Sequence, residues 1–469
     1  MQNNLYESYD LIVIGSGPAG QKGAIAAAKV GKKVVVIDRK TMIGGVSLHR
    51  GTIPSKTLRE VIIYLSGIRQ RAFYGDDYKL KHDIRADDLA SRVEMVEQRE
   101  MAVIYDQLYR NGISLIYGVA RFVDDHTVEV ETPEGIERLY GDHILISCGT
   151  RPAANPEIPF DGETIIDVDQ ILNLKHMPKN MIIVGAGVIG LEYGSMFSAM
   201  GVKVTLIDHN DTILPFVDEQ IMEELMVHLQ NQGTNFRLFE KVQKVWKGND
   251  NLVKVDLESG ISLEAETFLY AAGRQANSDS LHLDVVNVET DERGRIQVNE
   301  DFQTKVEHIY AAGDVVGFPA LAATSMEQGR LASCRMFGAP ADYRPNLLPY
   351  GIYTIPEISM IGKTEQELID QEISYAIGKS KFIELARGGI MGLETGMLKI
   401  LFDPKSHKLL GVHIIGETAT ELIHIGQSVL SFGGTIEYFR DTVFNYPTLA
   451  EAYKVAALDG LNRVVTFEK

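Results

Sequence analysis

Two glycine-rich stretches carry the clearest chemistry in this chain of 469 residues. Gly15-Ser-Gly17-Pro-Ala-Gly20 and Gly185-Ala-Gly187-Val-Ile-Gly190 both fit GxGxxG. In that pattern the first glycine permits a tight turn, the second lets backbone approach a pyrophosphate, and the third lets helix and strand pack closely. The helix that follows offers unpaired N–H groups and a partial positive charge to the phosphates. An acidic residue closing the next strand can bind a ribose 2′-hydroxyl, and Asp38 and Asp208 stand at that place. One such motif is weak evidence, because a plain glycine turn also satisfies it. Two of them, each led by an apolar run and closed by Asp, predict two dinucleotide sites. Asp208 also bears on selectivity. Its carboxylate would repel a 2′-phosphate, and the following His209-Asn-Asp-Thr-Ile contains no Arg or Lys, so the second site reads as one for NAD(H). His209 could assist a phosphate, but a solvated surface histidine is the plainer reading.

The elements that must position these loops repeat along the chain. Residues 9–16 read as a buried strand, 18–30 as an Ala-rich helix and 33–38 as a second strand, which together make a βαβ unit. The same order returns over 180–208, and Gly15 to Gly185 and Asp38 to Asp208 are both separated by 170 residues. Each unit later reaches an apolar strand ending at a glycine, Gly149 in HILISCGTRP and Gly273 in TFLYAAGRQAN, so the architecture is a duplication and not a solenoid. Residues 86–111 read as a charged helix and 119–139 as short antiparallel strands. Residues 296–316 read as a strand pair followed by a Gly-Asp turn and a helix. Beyond residue 346, apolar and polar residues alternate around Asp403-Pro404, which predicts an antiparallel hairpin, followed by helices over 417–431 and 447–462.

Composition excludes several classes. Lys and Arg number 46 against 64 Asp and Glu, a net charge of −18, which argues against nucleic acid or an anionic membrane as partner. No apolar run approaches the ~18–20 residues that span a bilayer. The opening MQNNLYESYD has neither the basic start nor the apolar core of a secretory signal, so a cytoplasmic location without membrane insertion is expected. The only cysteines are Cys148 and Cys334, which offer no disulfide framework, CxxC or zinc spacing, and no metal site is expected. Cys148 reads as a small core residue at a strand end, and Cys334 as a helix residue without a function.

The stretch GGVSLHRGTIPSK (44–56), with GSGPAG, GAGVIGLE, AAGD and NYPTLAEA, resembles the flavoprotein disulfide reductases, in order and over the whole length. The resemblance implies an α/β fold with two Rossmann-like dinucleotide-binding domains and a C-terminal α+β dimerisation domain. Residues 1–150 and 276–346 would form the FAD domain, 151–275 the NAD(P) domain and 347–469 the interface of a homodimer. Gly15, Gly17, Gly20, Asp38, Gly44, Gly45, Gly149 and Asp314 would then hold FAD, with Asp314 on the ribityl chain. Gly185, Gly187, Gly190, Asp208 and Gly273 would hold NAD(P). Lys56 and Glu192 match an ion pair beside the flavin N5, where a lysine cation favours anionic reduced flavin. Val188 stands where some members carry an aromatic gate over the flavin.

The departures from the family are as informative. Its two redox cysteines, spaced CxxxxC, are replaced by Ser47 and Thr52, and neither hydroxyl can form a disulfide or a thiolate. Its His-Pro-Thr-x-x-Glu becomes Tyr446-Pro447-Thr448-Leu449-Ala450-Glu451. Glu451 is kept, but a phenol, which ordinarily ionises near pH ~10, is a poor proton shuttle. Cys148 and Cys334 match neither redox position. Within the family, GTIPSK, His49, GIYTIPEIS and FNYPT are most similar to members that exchange hydride between pyridine nucleotides. The implied function is FAD-dependent, ping-pong hydride transfer with no disulfide relay, with Lys56, Glu192, Thr52, Tyr446 and Glu451 around the reacting centre. NAD(H) is the expected substrate and NADP(H) is left open by Asp208. Two rivals stand beside it: an NADH-preferring flavoprotein that passes electrons to a quinone or protein, and a non-catalytic flavoprotein subunit. His49 could line the flavin pocket or serve the fold.

Overall fold

The structure is a computed structural model that describes residues 6–75, 77–81, 84–341 and 347–467. The chain divides into two compact units, one made of Met1–Leu58, Ala90–Asn155 and Gly273–Arg344, the other of Arg59–Leu89, Pro156–Ala272 and Pro345–Lys469.

The first unit is built on a seven-stranded sheet. Its parallel part runs Ser114–Tyr117, Val34–Asp38, Glu7–Ile14, Gly135–Ile146 and Ile309–Ala311. Val119–Phe122, Thr127–Thr132 and the first half of Gly135–Ile146 add an antiparallel meander. The central strands are buried on both faces, so their sequences are apolar runs such as Val34-Val-Val-Ile37 instead of alternating ones. The helix Pro18–Lys29 follows the first strand directly, and Pro18 suits its first turn because the missing N–H has no helical partner there.

The second unit contains a five-stranded, fully parallel sheet in the order Asn235–Arg237, Lys203–Ile207, Asn180–Val184, Thr267–Tyr270, Ile165–Asp167. A three-stranded antiparallel sheet, Val242–Lys247, Val253–Leu257 and Ser262–Ala265, shares a core with it through Phe268 and Val255. The C-terminal region forms a five-stranded antiparallel sheet. Its hairpin, Met397–Phe402 with Leu409–Ile415, turns where the Asp403 carboxylate accepts the Lys405 and Ser406 N–H groups. Phe402, Phe439 and Tyr453 fill the core between this sheet and the helices Ala419–Ser431 and Glu451–Phe467.

The predicted strand pair over 296–316 is corrected. Only Ile309–Ala311 forms a strand, because Asn299 Oδ1 accepts the N–H groups of Asp301 and Gln303 and holds a turn where the first strand was expected. The last helix starts at Glu451 and not at 447: Pro447 turns Tyr446 away from helical backbone, and Thr448 Oγ1 donates back to the Asn445 carbonyl. A short helix, Glu437–Asp441, was not anticipated. The expected boundary after residue 346 abuts residues 342–346, which lie outside the described residues. Among the described residues no helix is long and apolar enough to cross a membrane.

Candidate active site

The 170-residue offset seen in the sequence is a structural repeat as well. Leu11 to Ile14 pair with Val34 to Ile37, and the residues 170 further on, Met181 to Val184, pair with Val204 to Ile207. Gly15 N–H donates to Ile37 O at 2.9 Å, and Gly185 N–H to Ile207 O at 2.8 Å. Both glycines have left-handed backbone, at φ +103° and +99°, which a side chain would resist. A Cβ on Gly20 or on Gly190 would lie 1.9 Å from the carbonyl of the first glycine, so helix and turn touch at van der Waals distance. Around Gly17 and Gly187, by contrast, a Cβ would meet nothing within 4 Å. The open side of each loop is therefore free for a pyrophosphate, while its closed side is fixed by packing.

The two aspartates repeat as well. Asp38 Oδ2 accepts the Ser16 N–H at 2.7 Å and the Ser16 hydroxyl at 2.6 Å, while Oδ1 accepts the Arg39 N–H at 2.7 Å. Asp208 Oδ2 accepts the Ala186 N–H at 2.7 Å, and Oδ1 accepts the Asn210 backbone and side-chain N–H at 2.9 and 3.0 Å. A carboxylate offers about four acceptor sites, so three hydrogen bonds leave one for a ribose hydroxyl; at Asp208 the open site is on Oδ2, because His209 Nδ1 also stands 3.4 Å from Oδ1. Each carboxylate thus locks its glycine loop. Burial raises the Asp38 pKa above its ordinary value, against the bonds from Ser16 that favour the charged form. These features fit a dinucleotide at each loop.

Further residues of the first unit support the flavin side. The Asp314 carboxylate accepts from Ser325 Oγ at 3.2 Å and from Thr150 Oγ1 at 3.5 Å. Arg274 in turn donates to Thr150 Oγ1 at 2.7 Å and to its carbonyl at 2.9 Å. Thr150 and Arg274 follow the two terminal glycines Gly149 and Gly273 and open the two strands of an antiparallel ribbon, in which Thr150 faces Ala276 and Arg274 faces Pro152. Gly44 and Gly45 open the helix Gly45–His49, and the Gly44 N–H donates to Ser16 Oγ at 3.0 Å, which ties the double glycine to the first loop. Ser47 lies on that short helix, and Thr52 opens the helix Thr52–Ser66, which carries Lys56. His49 Nε2 faces the Ile43 carbonyl at 2.8 Å and its Nδ1 faces Glu97. This pins the short helix to Ala86–Arg110 and gives His49 a structural role.

In the second unit Glu192 is buried on the helix Val188–Ala199 and accepts the Tyr353 N–H at 2.8 Å. Tyr446 is 73% exposed and Glu451 is partly buried. Cys148 packs against the first unit's core, where burial pushes its thiol pKa up to about 12, so it lacks the environment of a reactive thiolate, and Cys334 is buried on the helix Ala322–Met336, where its Sγ accepts from Arg330 Nη1 at 3.8 Å.

One residue escaped the sequence reading. Arg237 ends the strand beside Lys203–Ile207, and the Asp208 N–H donates to its carbonyl at 3.0 Å. Its Nε is buried and without a hydrogen-bond partner among the described residues. Arg237 thus lies on the strand next to Asp208, in register with Ile207. It lies 29 residues downstream of Asp208, and only the pairing of the two strands brings it there.

An FAD-type and an NAD-type cradle on one chain define a two-dinucleotide oxidoreductase scaffold, and the comparisons agree. The chain belongs to the pyridine nucleotide-disulphide oxidoreductase family, whose model matches residues 9–329, with the family's dimerisation domain over 348–457. It is 51% identical over 458 residues to a soluble pyridine nucleotide transhydrogenase of Mycobacterium tuberculosis (strain ATCC 25177 / H37Ra), covering 97% of this chain and 98% of that one. It is 43% identical over 463 residues to the protein of that name from Escherichia coli O9:H4 (strain HS), with 97% and 98% covered. Among solved structures, LpdA from Mycobacterium tuberculosis superposes with a TM-score of 0.88 at 25% identity, covering 96% of this chain and 99% of that one. The HOCl-induced flavoprotein disulfide reductase RclA from Escherichia coli gives a TM-score of 0.85 at 26% identity, with 96% and 99% covered.

Proposed function

We propose that this chain is an FAD-dependent transhydrogenase that moves hydride between pyridine nucleotides in two successive half-reactions. The observation that carries the reading is the combination of two dinucleotide cradles of the same strand register with hydroxyls, Ser47 and Thr52, where a disulfide reductase needs thiols. When bound, FAD supplies a hydride acceptor and donor between the two nucleotide visits. The residues of the chain bind and orient. The loop at Gly185–Gly190 and Asp208 hold the adenosine half of each nucleotide in turn, and the valine at 188 leaves room for the nicotinamide. Lys56 and Glu192 are assigned to the flavin side, where a fixed cation favours the reduced state. With no thiol to protonate, the reaction needs no histidine at position 446. The FAD domain is assigned to 1–150 and 276–346, the nucleotide domain to 151–275 and the interface domain to 347–469. The chain forms a homodimer through its C-terminal domain, where Phe432, Val443 and Tyr446 lie exposed.

An NADH-preferring dehydrogenase is the second reading, and Asp208 favours it. Arg237 favours the first, since a cation beside the ribose site can offset the carboxylate when a 2′-phosphate is present. Anaerobic mixing decides between them. NADPH and NADH should each bleach the flavin, and NAD⁺ or NADP⁺ added afterwards should restore its colour, with parallel-line steady-state kinetics. Failure of NADPH to reduce the flavin removes transhydrogenation and leaves the dehydrogenase.

A further inference from the structure

We infer that Arg59 is a positioning residue for the hydride transfer. It fixes the strap Tyr353-Thr354-Ile355, from which Glu192 takes a hydrogen bond, and so sets where that carboxylate stands. The inference rests on the assignment of Glu192 to the flavin side made above. Arg59, Glu192 and the strap all belong to the second unit. Glu192 and Ser195 are three residues apart on the helix Val188–Ala199 and therefore share one of its faces. The strap docks there. The Tyr353 N–H donates to Glu192 Oε1 at 2.8 Å, and the Ile355 N–H donates to Ser195 Oγ at 3.0 Å. Ser195 Oγ itself donates to the Glu192 carbonyl at 2.8 Å, which fixes the hydroxyl in the accepting direction. The Thr354 carbonyl belongs to the same peptide group as the Ile355 N–H, and it accepts Arg59 Nε at 3.0 Å. A planar trans peptide points its oxygen and its hydrogen in opposite directions. One peptide group is thus gripped from both sides, by Ser195 and by Arg59, two residues along from the N–H that holds Glu192.

Arg59 is suited to that role because it is itself immobile. It lies on the helix Thr52–Ser66 and is only 2% exposed. A guanidinium presents its donors in a rigid fork, and here the fork reaches three groups. Nε takes the Thr354 carbonyl, Nη1 donates to Glu60 at 2.8 Å, and Nη2 stands 3.2 Å from Glu357 Oε1. Glu357 is buried in turn, and its Oε2 accepts the Thr420 N–H at 3.2 Å and the Thr420 hydroxyl at 2.8 Å, which ties the fork to the helix Ala419–Ser431. A buried ion pair is weak as a source of stability, since apolar side chains of similar volume often serve as well. An apolar side chain could not donate to the Thr354 carbonyl, and Thr354 is fully buried. A peptide released on that side can tilt and carry the Tyr353 N–H off the Glu192 carboxylate. Such a donor also favours the charged form of the carboxylate, and small misplacements around reacting atoms lower rates steeply. The sequence could not show the link, because Arg59 and Thr354 are 295 residues apart.

The test is anaerobic stopped-flow reduction of the FAD-loaded protein by NADH, arranged as a double-mutant cycle between Arg59 and Glu192. Glu192→Gln should lower the limiting rate at least about tenfold. Arg59→Met should lower it at least about fivefold with half-saturation for NADH within about twofold, and Arg59→Lys should recover part of the loss. In the Glu192→Gln background, Arg59→Met should cost less than about twofold, because a residue that acts through Glu192 then has nothing to position. A residue that serves only the fold would cost the same in both backgrounds. Losses that multiply, or a native limiting rate in Arg59→Met, would overturn the inference and leave the transhydrogenase reading standing. A native rate in Glu192→Gln would instead remove Glu192 from the flavin side, and the positioning with it. Arg59→Met strands the buried Glu357 carboxylate. If it does not fold, Ser195→Ala, which releases the same peptide on its other side, enters the cycle with the same expectations.

Discussion

The glycines of the second loop do two different jobs, and replacing each by alanine should separate them. Gly187 has extended backbone at φ −70° and ψ −178°, and a Cβ there meets no protein atom within 4 Å. The fold should accept Gly187→Ala, at a cost of less than about 1 kcal/mol for the poorer helix cap. The new methyl group projects where a pyrophosphate approaches the backbone, so NADH should bind at least about tenfold more weakly, or about 1.4 kcal/mol. Gly190 is the opposite case. Its Cβ would sit 1.9 Å from the Gly185 carbonyl oxygen, and an ordinary carbon–oxygen contact of about 3.3 Å or more requires helix or turn to shift by more than about 1 Å. Overpacking of that kind costs about 1–3 kcal/mol or more. Urea unfolding is readable here because Trp246 is the only tryptophan and lies on Val242–Lys247, in the same unit as the loop. Stopped-flow flavin bleaching by NADH supplies the second readout. Half-saturation unchanged in Gly187→Ala would refute the loop as the pyrophosphate cradle, and a native urea midpoint in Gly190→Ala would refute the packing argument. Gly17→Ala should repeat the first behaviour with FAD retention as its measure.

Three further predictions concern other parts of the molecule. Arg237→Gln should raise half-saturation for NADPH about tenfold or more while leaving NADH within about twofold, and equal effects on both would remove Arg237 from the 2′-phosphate. Lys399 is fully buried and bonds both oxygens of the buried Asp218, at 2.8 and 2.9 Å, as well as Glu365. Lys399→Met strands a buried carboxylate and should cost about 3–5 kcal/mol in urea unfolding, whereas Lys399→Met with Asp218→Asn should recover at least half of it. His413 is fully buried with Nδ1 unpartnered among the described residues, and burial lowers its pKa. It is held neutral in the fold, so its contribution is complete above the unfolded value near ~6.5 and is lost as pH falls below it, by up to about 1.4 kcal/mol per unit. His413→Asn should flatten the decline of the urea midpoint between pH ~8 and ~5, and an unchanged slope counts against it.

What the sequence disclosed follows from how local each feature is. A strand, a glycine turn, a helix and a closing Asp lie within one short stretch, so the cradle at Gly15–Asp38 could be read complete, and its repeat 170 residues later removed the ambiguity of a single motif. The hairpin at Met397–Ile415 was equally local. Asn299 defeated the alternation rule, because an Asx turn competes for the same backbone N–H groups that a strand would pair. Arg237 was invisible for another reason: its place depends on which strands become neighbours, a property of the whole sheet. His49 was ambiguous until Glu97, on a helix far along the chain, appeared opposite its ring.

The asymmetry between the two loops bears on how the enzyme could accept two nucleotides. Asp208 is committed to the fold: its carboxylate holds the Ala186 N–H and organises Asn210, so exchanging it for a neutral residue to admit a phosphate would loosen the cradle itself. The economical way to tolerate a 2′-phosphate is therefore to leave the aspartate and place a compensating cation on the adjacent strand. Arg237 is the residue of that strand whose carbonyl accepts the Asp208 N–H, and its buried Nε is satisfied by no described residue. A buried, unsatisfied guanidinium nitrogen is costly, and an anion arriving beside it gains what the free protein lacks. The reading under test is a single site that takes NADH through Asp208 and NADPH through Arg237, and half-saturation for NADPH unchanged in Arg237→Gln would remove it.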